Sequence, residues 1–240
     1  MVGRLRFRRY VGEEYYRWTP LNINMKRILI LVEGQTEEKF VKDIMNPVFD
    51  SSGLFLTPII IRTKEVKAGP NFKGGVNSYT IIKKDTNRLL KDSDVMIVTT
   101  MFDFYGLPRD FPAWKSNGSC YDRVQSAEKS FALDIDHKKF IPYLQLHEFE
   151  GLLFSAPKII SDTLDRTKEK TIQSIRDDFS TPEEINEGVD THPSKRLLKH
   201  FPRYNKPVFG SLIAGRTGME RIRNACPHFN EWISKLLLQQ

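Results

Sequence analysis

The sequences LILVEGQTEEKF (residues 29–40) and MIVTTMFDFYGLPRDF (residues 96–111) are the most informative segments of this chain. In each, a largely β-branched apolar run stops at an acidic residue, Glu33 in the first and Asp103 in the second. Such runs are typical of strands buried in a parallel sheet. The carboxyl ends of parallel strands lie at one edge of the sheet, where open α/β folds bind their ligands. We therefore predict that the two carboxylates lie together and bind Mg²⁺.

The rest of the sequence predicts an α/β fold with a mainly parallel four-stranded sheet flanked by helices. The four strands are expected at residues 26–32, 57–63, 94–100 and 140–146. Thr36 is expected to cap the first helix, which would begin at Glu37. Beyond about residue 147 the pattern is helical. We predict an α/β domain at 26–155 and a helical carboxy-terminal subdomain at 156–240 packed on it.

The charge of the chain favours a polyanionic partner such as nucleic acid. Its 37 Lys and Arg residues oppose 30 Asp and Glu residues, which gives a formal charge of +7 at pH 7. Part of the excess lies in residues 1–25, a basic leader that ends where the first strand begins. Either this leader is not native to the protein, or it adds a strand or a basic arm whose aromatic residues could stack on bases.

Several classes of protein are excluded. No apolar run approaches the roughly 20 residues of a transmembrane helix, and the amino terminus has no secretory signal. Cys120 and Cys226 lack the spacing of metal ligands and are expected to be reduced, so we predict a cytoplasmic location. There is no Walker A sequence, and ATP is not expected to bind this chain directly.

The first candidate motif is Glu33-Gly34-Gln35-Thr36-Glu37. A carboxylate that ends an apolar strand is costly to desolvate unless it has a partner, which favours a functional role for Glu33. Glu37 has two interpretations: a second catalytic acid, or a first-turn residue stabilised by the helix dipole.

The second candidate motif runs from Asp103 to Asp110. Asp103 is interpreted as a metal ligand or as an Asx-type turn residue, and Asp110 as a weaker candidate ligand. Tyr105 could stack on a base, donate a hydrogen bond, or be buried at the base of the loop.

Further acids follow the last predicted strand, where Glu148 or Glu150 could complete a second metal position. The His-Glu-x-x-His sequence of zinc hydrolases is absent, so His147 is expected to be a hydrogen-bonded structural residue. Downstream, the helix that opens near His192 could bind phosphate through its amino terminus, Lys195 and Arg196. The alternative is a solvated helix face.

These residues resemble the Toprim fold, the metal-binding domain of topoisomerases, DnaG-type primases and OLD-family nucleases. In that family a Glu followed by Gly at the end of one strand, and an acidic pair after a later strand, bind Mg²⁺. Glu33-Gly34 matches the first element, and Glu33 with Glu37 matches the Glu-x-x-x-Glu of OLD-type nucleases. Asp103 matches the first acid of the family's Asp-x-Asp.

The resemblance fails at one position, because Tyr105 stands where the family has its second acid. A second metal position would then need Asp110, Glu148 or Glu150 as a substitute.

A closer resemblance runs from about residue 26 to the carboxy terminus. It is carried by VEGQTEEKF, DFYGLPRDFP, IPYLQLHEFEGLLFS, HPSKRL and CPHFNEW. These segments are similar to a family of uncharacterised bacterial Toprim-like proteins, regarded as nucleases and often paired with an ABC-type ATPase in mobile defence islands. The resemblance implies such a partner, which would supply the nucleotide site that this chain lacks.

The sequence as a whole predicts a nuclease dependent on Mg²⁺ or Mn²⁺, in which Glu33, Glu37 and Asp103 are catalytic. Nucleic acid would be bound by Lys195, Arg196 and Tyr105. Two other hypotheses stay open: a nucleotidyl-transfer or phosphohydrolase enzyme that uses the same acids, and a catalytically silent adaptor that binds nucleic acid or an ATPase.

Overall fold

The structure is a computed structural model that describes residues 26–61, 78–185, 188 and 190–239. The predicted leader, residues 1–25, lies outside these residues. The end of the second predicted strand, beyond residue 61, does so as well.

One sheet with all of its described strands in parallel confirms the α/β class. Its strand order is β2-β1-β3-β4, and β5 pairs with the far end of β3. The strands are β1 (Lys26–Val32), β2 (Leu54–Ile60), β3 (Val95–Asp103), β4 (Phe140–Ile141) and β5 (Leu144–Gln145). The described part of the sheet therefore has five strands, where the sequence predicts four.

Helices cover both faces of the sheet and make up nearly all of the regular structure after residue 147, as predicted. They are α1 (Gln35–Phe40), α2 (Asn46–Asp50), α3 (Tyr79–Leu89), α4 (Cys120–Ile135), α5 (Glu150–Leu153), α6 (Pro157–Leu164), α7 (Glu169–Asp177), α8 (Pro193–His200), α9 (Ser211–Thr217), α10 (Met219–Ala225) and α11 (Pro227–Leu237). A π-helical turn, Val41–Met45, joins α1 to α2, and a second, Lys206–Gly210, leads into α9. None of the described helices has the length and apolar character that crossing a membrane requires.

The central strand β1 is buried on both faces because its side chains alternate between two cores. Ile28 and Ile30 pack into the core formed with α1, α2 and the carboxy-terminal helices, whereas Leu29 and Leu31 pack into the core formed with α3 and α4. The first core also contains Trp232 of α11. The carboxy-terminal helices therefore share a core with the sheet.

Two local predictions are wrong for identifiable physical reasons. The single strand expected at 140–146 is split at Pro142, which has no N–H group for the ladder. Instead, the Thr100 hydroxyl accepts the N–H of Tyr143 at 3.0 Å and donates to its carbonyl at 2.9 Å. Thr36 is not a cap: α1 begins at Gln35, and the Thr36 side chain is buried.

The buried carboxylate of Glu183 anchors the start of α11. It accepts the backbone N–H groups of His228 at 2.9 Å and Phe229 at 3.0 Å. Burial raises the pKa of Glu183, while these two amide hydrogen bonds act in the opposite direction. The side chain thus satisfies two amides at a helix end that would otherwise be buried without acceptors.

We predict that Glu183→Ala lowers the free energy of unfolding by about 3 kcal/mol, because it leaves two buried donors unsatisfied. Urea denaturation followed by tryptophan fluorescence measures the change. Glu231→Ala is the matched control, since it removes an exposed partner of Lys235 on α11 and should change stability by less than about 0.5 kcal/mol. Equal stability of the two variants would contradict the anchoring role.

Candidate active site

The ends of β1 and β3 bring Glu33 and Asp103 together at the carboxyl edge of the sheet. The backbone N–H of Asp103 donates to Glu33 Oε1 at 3.2 Å. Gly106, three residues beyond Asp103, passes so close that a Cβ atom there would lie 3.5 Å from Glu33 Oε1. The predicted proximity of the two acids is therefore present in the structure.

A turn at His147 holds the segment that follows β5 against Asp103. His147 has a left-handed backbone conformation with φ of 59°, which is uncommon for a residue other than glycine. Its carbonyl accepts the N–H of Tyr105 at 3.2 Å, and two residues later the N–H of Phe149 donates to Asp103 Oδ1 at 2.8 Å. The turn thereby places Glu150, the first residue of α5, beside the two strand ends.

The Lys206 ammonium lies among three carboxylates that come from different parts of the chain. Its Nζ atom is 3.1 Å from Glu37 Oε1, 3.2 Å from Asp103 Oδ2 and 3.4 Å from Glu150 Oε2. Lys206 opens the π-helical turn before α9, and its side chain is 31% exposed. The sequence does not identify Lys206 as a site residue, because no short motif connects a lysine with an acid 103 positions earlier in the chain.

Several oxygens in this cluster have capacity for another cation. Both carboxylate oxygens of Glu150 and Oε1 of Glu37 are buried, and among the residues that the structure describes none of them accepts a hydrogen bond of good geometry. Burial raises the pKa of the Tyr204 hydroxyl, which also lies against Glu150, and the Glu150 carboxylate raises that pKa further. Glu37 Oε1 and Glu150 Oε2 lie 3.1 Å and 3.4 Å from Lys206 Nζ, which are ion-pair distances. Buried anionic oxygens of this kind are the ligands that a hard divalent ion prefers.

The donor set fits Mg²⁺ or Mn²⁺ in chemical type, and the ammonium stands among the donors. Within the described ranges, no three side chains of His, Cys, Asp or Glu are already spaced to hold a metal ion. The carboxylates that would hold one are Glu33, Glu37, Asp103 and Glu150, with Lys206 as their present counter-charge.

The electrostatics of the cluster follow from its burial. The pKa of Glu33 is raised to about 7, first by desolvation and then by the negative charge of Glu37, while Lys206 opposes the shift. Burial also raises the pKa of Asp103 and of Glu150, and Lys206 again opposes it. Burial alone would lower the pKa of Lys206, but the surrounding carboxylates outweigh it and hold that pKa well above its usual range. The ammonium is therefore charged at neutral pH.

Glu148, a predicted metal ligand, has a different set of partners. Its carboxylate accepts the backbone N–H of Ser194 at 2.9 Å and the Ser194 hydroxyl at 3.2 Å, and lies 3.0 Å from His192 Nδ1. It therefore occupies the amino terminus of α8, where phosphate binding is predicted. Glu148 is nevertheless close enough to help raise the pKa of Glu33 and Glu150.

The two predicted phosphate-binding cations of α8 differ in their surroundings. Lys195 is exposed. The guanidinium of Arg196 donates to the Thr191 carbonyl at 2.5 Å and lies over the Phe179 ring at 5.4 Å. Arg196 is thus held by structural contacts, and Lys195 remains available to solvent.

Tyr105 and Asp110, which both follow Asp103 in the second motif, have different surroundings. The Asp110 carboxylate accepts the Ser78 hydroxyl at 3.1 Å and the backbone N–H of Tyr79 at 3.0 Å, so it supports the start of α3. Tyr105 is 39% exposed, and its ring stacks on that of His192 with the centroids 5.1 Å apart. Tyr105 therefore stays at the edge of the acidic cluster, whereas the contacts of Asp110 are with α3.

Comparisons with known proteins place residues 32–237 in a family described as Domain of unknown function (DUF4276). Among solved structures, the chain is similar to the C-terminal region of the Burkholderia pseudomallei OLD protein, with a TM-score of 0.42 and 16% identity over 88% of this chain and 98% of that chain. It is also similar to the C-terminal region of the Xanthomonas campestris pv. campestris OLD protein, with a TM-score of 0.36 and 16% identity over the same shares. No curated protein matches the chain.

We predict that Lys206→Met lowers the free energy of unfolding of the chelator-treated protein by about 3 kcal/mol at pH 7, because it leaves buried carboxylates without their counter-charge. The sign follows from the pKa of Lys206: a raised value gives stability that is fully present at neutral pH. Urea denaturation measures the loss. Lys195→Met, at an exposed position of α8, should stay within about 0.5 kcal/mol of the parent. An equal effect of both substitutions would refute the role of Lys206.

A second prediction concerns pH. Because the folded protein raises the pKa of Glu33 from 4.5 to about 7, folding binds a proton in this range, and stability should fall as the pH rises from about 4.5 through 7. Glu33→Gln should make that fall shallower in urea denaturation with chelator present. Glu38→Gln is the control, since Glu38 pairs with Lys42 at the surface of α1. An unchanged slope in Glu33→Gln would contradict the raised pKa.

Proposed function

The chain belongs to the DUF4276 family, a domain of unknown function, and we propose that it is a metal-dependent nuclease that hydrolyses phosphodiester bonds of nucleic acid. One observation carries the proposal: the carboxylates of Glu37, Asp103 and Glu150 converge on the Lys206 ammonium, and Glu33 lies beside them, bonded to the Asp103 amide. Phosphodiester hydrolysis requires concentrated positive charge, and a cluster of acids is the usual means of holding it as a divalent ion.

In this proposal Glu33 and Asp103 hold the divalent ion, Mg²⁺ or Mn²⁺, with Glu37 and Glu150 completing its surroundings. A divalent ion held there supplies the charge that polarises the scissile phosphate and assists in-line attack by water. The chain keeps Asp103 in place through the Phe149 amide and keeps Glu33 in place through the Asp103 amide.

Lys206 has a second role in the proposed reaction. Its ammonium is the counter-charge of the acids in the structure, and its side chain is 31% exposed, so a phosphate bound at the acids would be within its reach. A positive group at that position stabilises the additional negative charge that develops on phosphorus-bound oxygens during attack. We therefore propose that Lys206 neutralises the phosphate charge. Lys195 on α8 would add at most a supporting contact.

The proposal also assigns the chain to the Toprim-like nucleases on the strength of its residues. Glu33, Glu37 and Asp103 match acids of that family. In this proposal Glu150 supplies the acidic side chain that is missing at Tyr105. Glu150 is supported for this role because it is only 1% exposed and its Oε2 atom lies 3.4 Å from Lys206 Nζ.

The proposed biological setting rests on the resemblance to bacterial Toprim-like proteins. In it, the protein is cytoplasmic and acts with an ABC-type ATPase in a defence or mobile-element system. The chain has no Walker A sequence, so the partner would supply nucleotide binding.

The test is cleavage of single- and double-stranded DNA and RNA by the purified full chain with Mg²⁺, Mn²⁺ or chelator. We predict metal-dependent cleavage that Glu33→Gln or Asp103→Asn lowers at least about 100-fold, since each removes a charge needed to hold the ion. Asp110→Asn is the matched control, because Asp110 contacts the start of α3, and it should retain most of the activity.

The other outcomes separate the rival functions. Turnover of nucleotides or small phosphate esters, with nucleic acid left intact, would indicate a phosphohydrolase that uses the same acids. Metal-independent binding of nucleic acid without any turnover would indicate an adaptor. Cleavage that persists in both acid variants would identify a contaminating nuclease and overturn the proposal.

A further inference from the structure

Tyr105 presents an aromatic ring at the margin of the acidic cluster. It lies in a short 3₁₀ turn, Phe104–Gly106, that follows β3 directly. The backbone of this turn is fixed from two sides, because the Tyr105 N–H donates to the His147 carbonyl and Gly106 packs beside the Glu33 carboxylate. Tyr105 is thus carried by a fixed turn that begins directly after Asp103, one of the proposed metal ligands.

One face of the Tyr105 ring rests on a rigid support. It stacks on the imidazole of His192 with an interplanar angle of 27°, and His192 is 7% exposed. The imidazole is held in turn by Glu148, whose oxygens are also bonded to Ser194 at the start of α8. Glu148 therefore supports both the stack of Tyr105 on His192 and the start of α8.

Tyr105 as a residue is 39% exposed although one face of its ring is covered by His192, so the stack leaves part of the side chain open to solvent. A supported ring of this kind stacks on nucleobases, since every base has a π-face and the contact does not depend on sequence. A base within an intact duplex is already stacked on its neighbours, and reaching it requires unpairing and unstacking. An unpaired nucleotide carries no such penalty.

We propose that Tyr105, supported by His192, forms a subsite for an unpaired nucleobase next to the scissile phosphate. This inference rests on the proposed nuclease function and narrows its substrate class to single strands, frayed ends or flipped nucleotides. Tyr105 is a binding residue in this scheme, and His192 and Glu148 are positioning residues.

The experiment measures binding of fluorescently labelled single-stranded DNA and RNA, and of the corresponding blunt duplexes, to the full chain with chelator present to prevent cleavage. We expect the parent to bind single strands more tightly than duplexes. Tyr105→Leu should weaken single-strand binding by about tenfold, within the range for loss of one base–aromatic stack, and leave duplex binding unchanged. Tyr105→Phe should retain binding, because it keeps the ring.

Phe55→Ala is the matched control. Phe55 has 38% exposure and lies at the amino end of β2, where it pairs with Arg27, so it is an equally exposed ring at the opposite edge of the sheet. It should leave both affinities unchanged. Circular dichroism of each variant establishes that the fold is retained.

The result also separates this inference from the proposed nuclease. If the parent cleaves nucleic acid but Tyr105→Leu binds single strands as tightly as the parent, the subsite is wrong and the nuclease stands. If Tyr105→Leu loses single-strand binding while the parent cleaves nothing, the subsite stands and the nuclease is wrong. Tighter binding of duplexes than of single strands by the parent would overturn the subsite.

Discussion

The interaction on which the site depends is the contact of one ammonium group with several buried carboxylates. Burying like charges side by side is unfavourable, and without a cation they would have to take up protons. Lys206 supplies part of the compensation, as its opposition to the raised pKa of Glu33, Asp103 and Glu150 indicates. A cluster that is only partly compensated has capacity for a further cation, which is the physical basis of the proposed metal chemistry.

The fold forms this cluster by bringing distant parts of the chain together at the carboxyl edge of the sheet. Parallel pairing places the ends of β1 and β3 side by side, and the left-handed turn at His147 adds α5. The helices after residue 147 share a core with the sheet, so the turn that carries Lys206 is held in position by packing. The helical part of the chain is thus a component of the site.

Glu148 and Asp110 show that a carboxylate can cap a nearby helix instead of binding a metal ion. Both were candidate ligands, and in the structure both carboxylates accept backbone N–H groups near the start of a helix, α8 and α3 respectively. Helix amino termini carry unsatisfied donors and partial positive charge, which makes any nearby carboxylate a favourable partner. An acid just after a strand is therefore an ambiguous signal until the neighbouring helix ends are located.

The amino-acid sequence is enough to predict the α/β class and the two long strands that lead into Glu33 and Asp103, because buried strands have a local and regular apolar pattern. It also predicts that the two acids meet at one sheet edge, because parallel strands end on the same side. The folded chain is needed to show that Lys206 faces these acids, that Glu150 contacts Lys206 whereas Glu148 caps α8, and that the Tyr105 ring stacks on His192. Those contacts join residues about 50 to 170 positions apart through turns and helix ends. No short-range pattern specifies which distant side chains a folded core brings into contact.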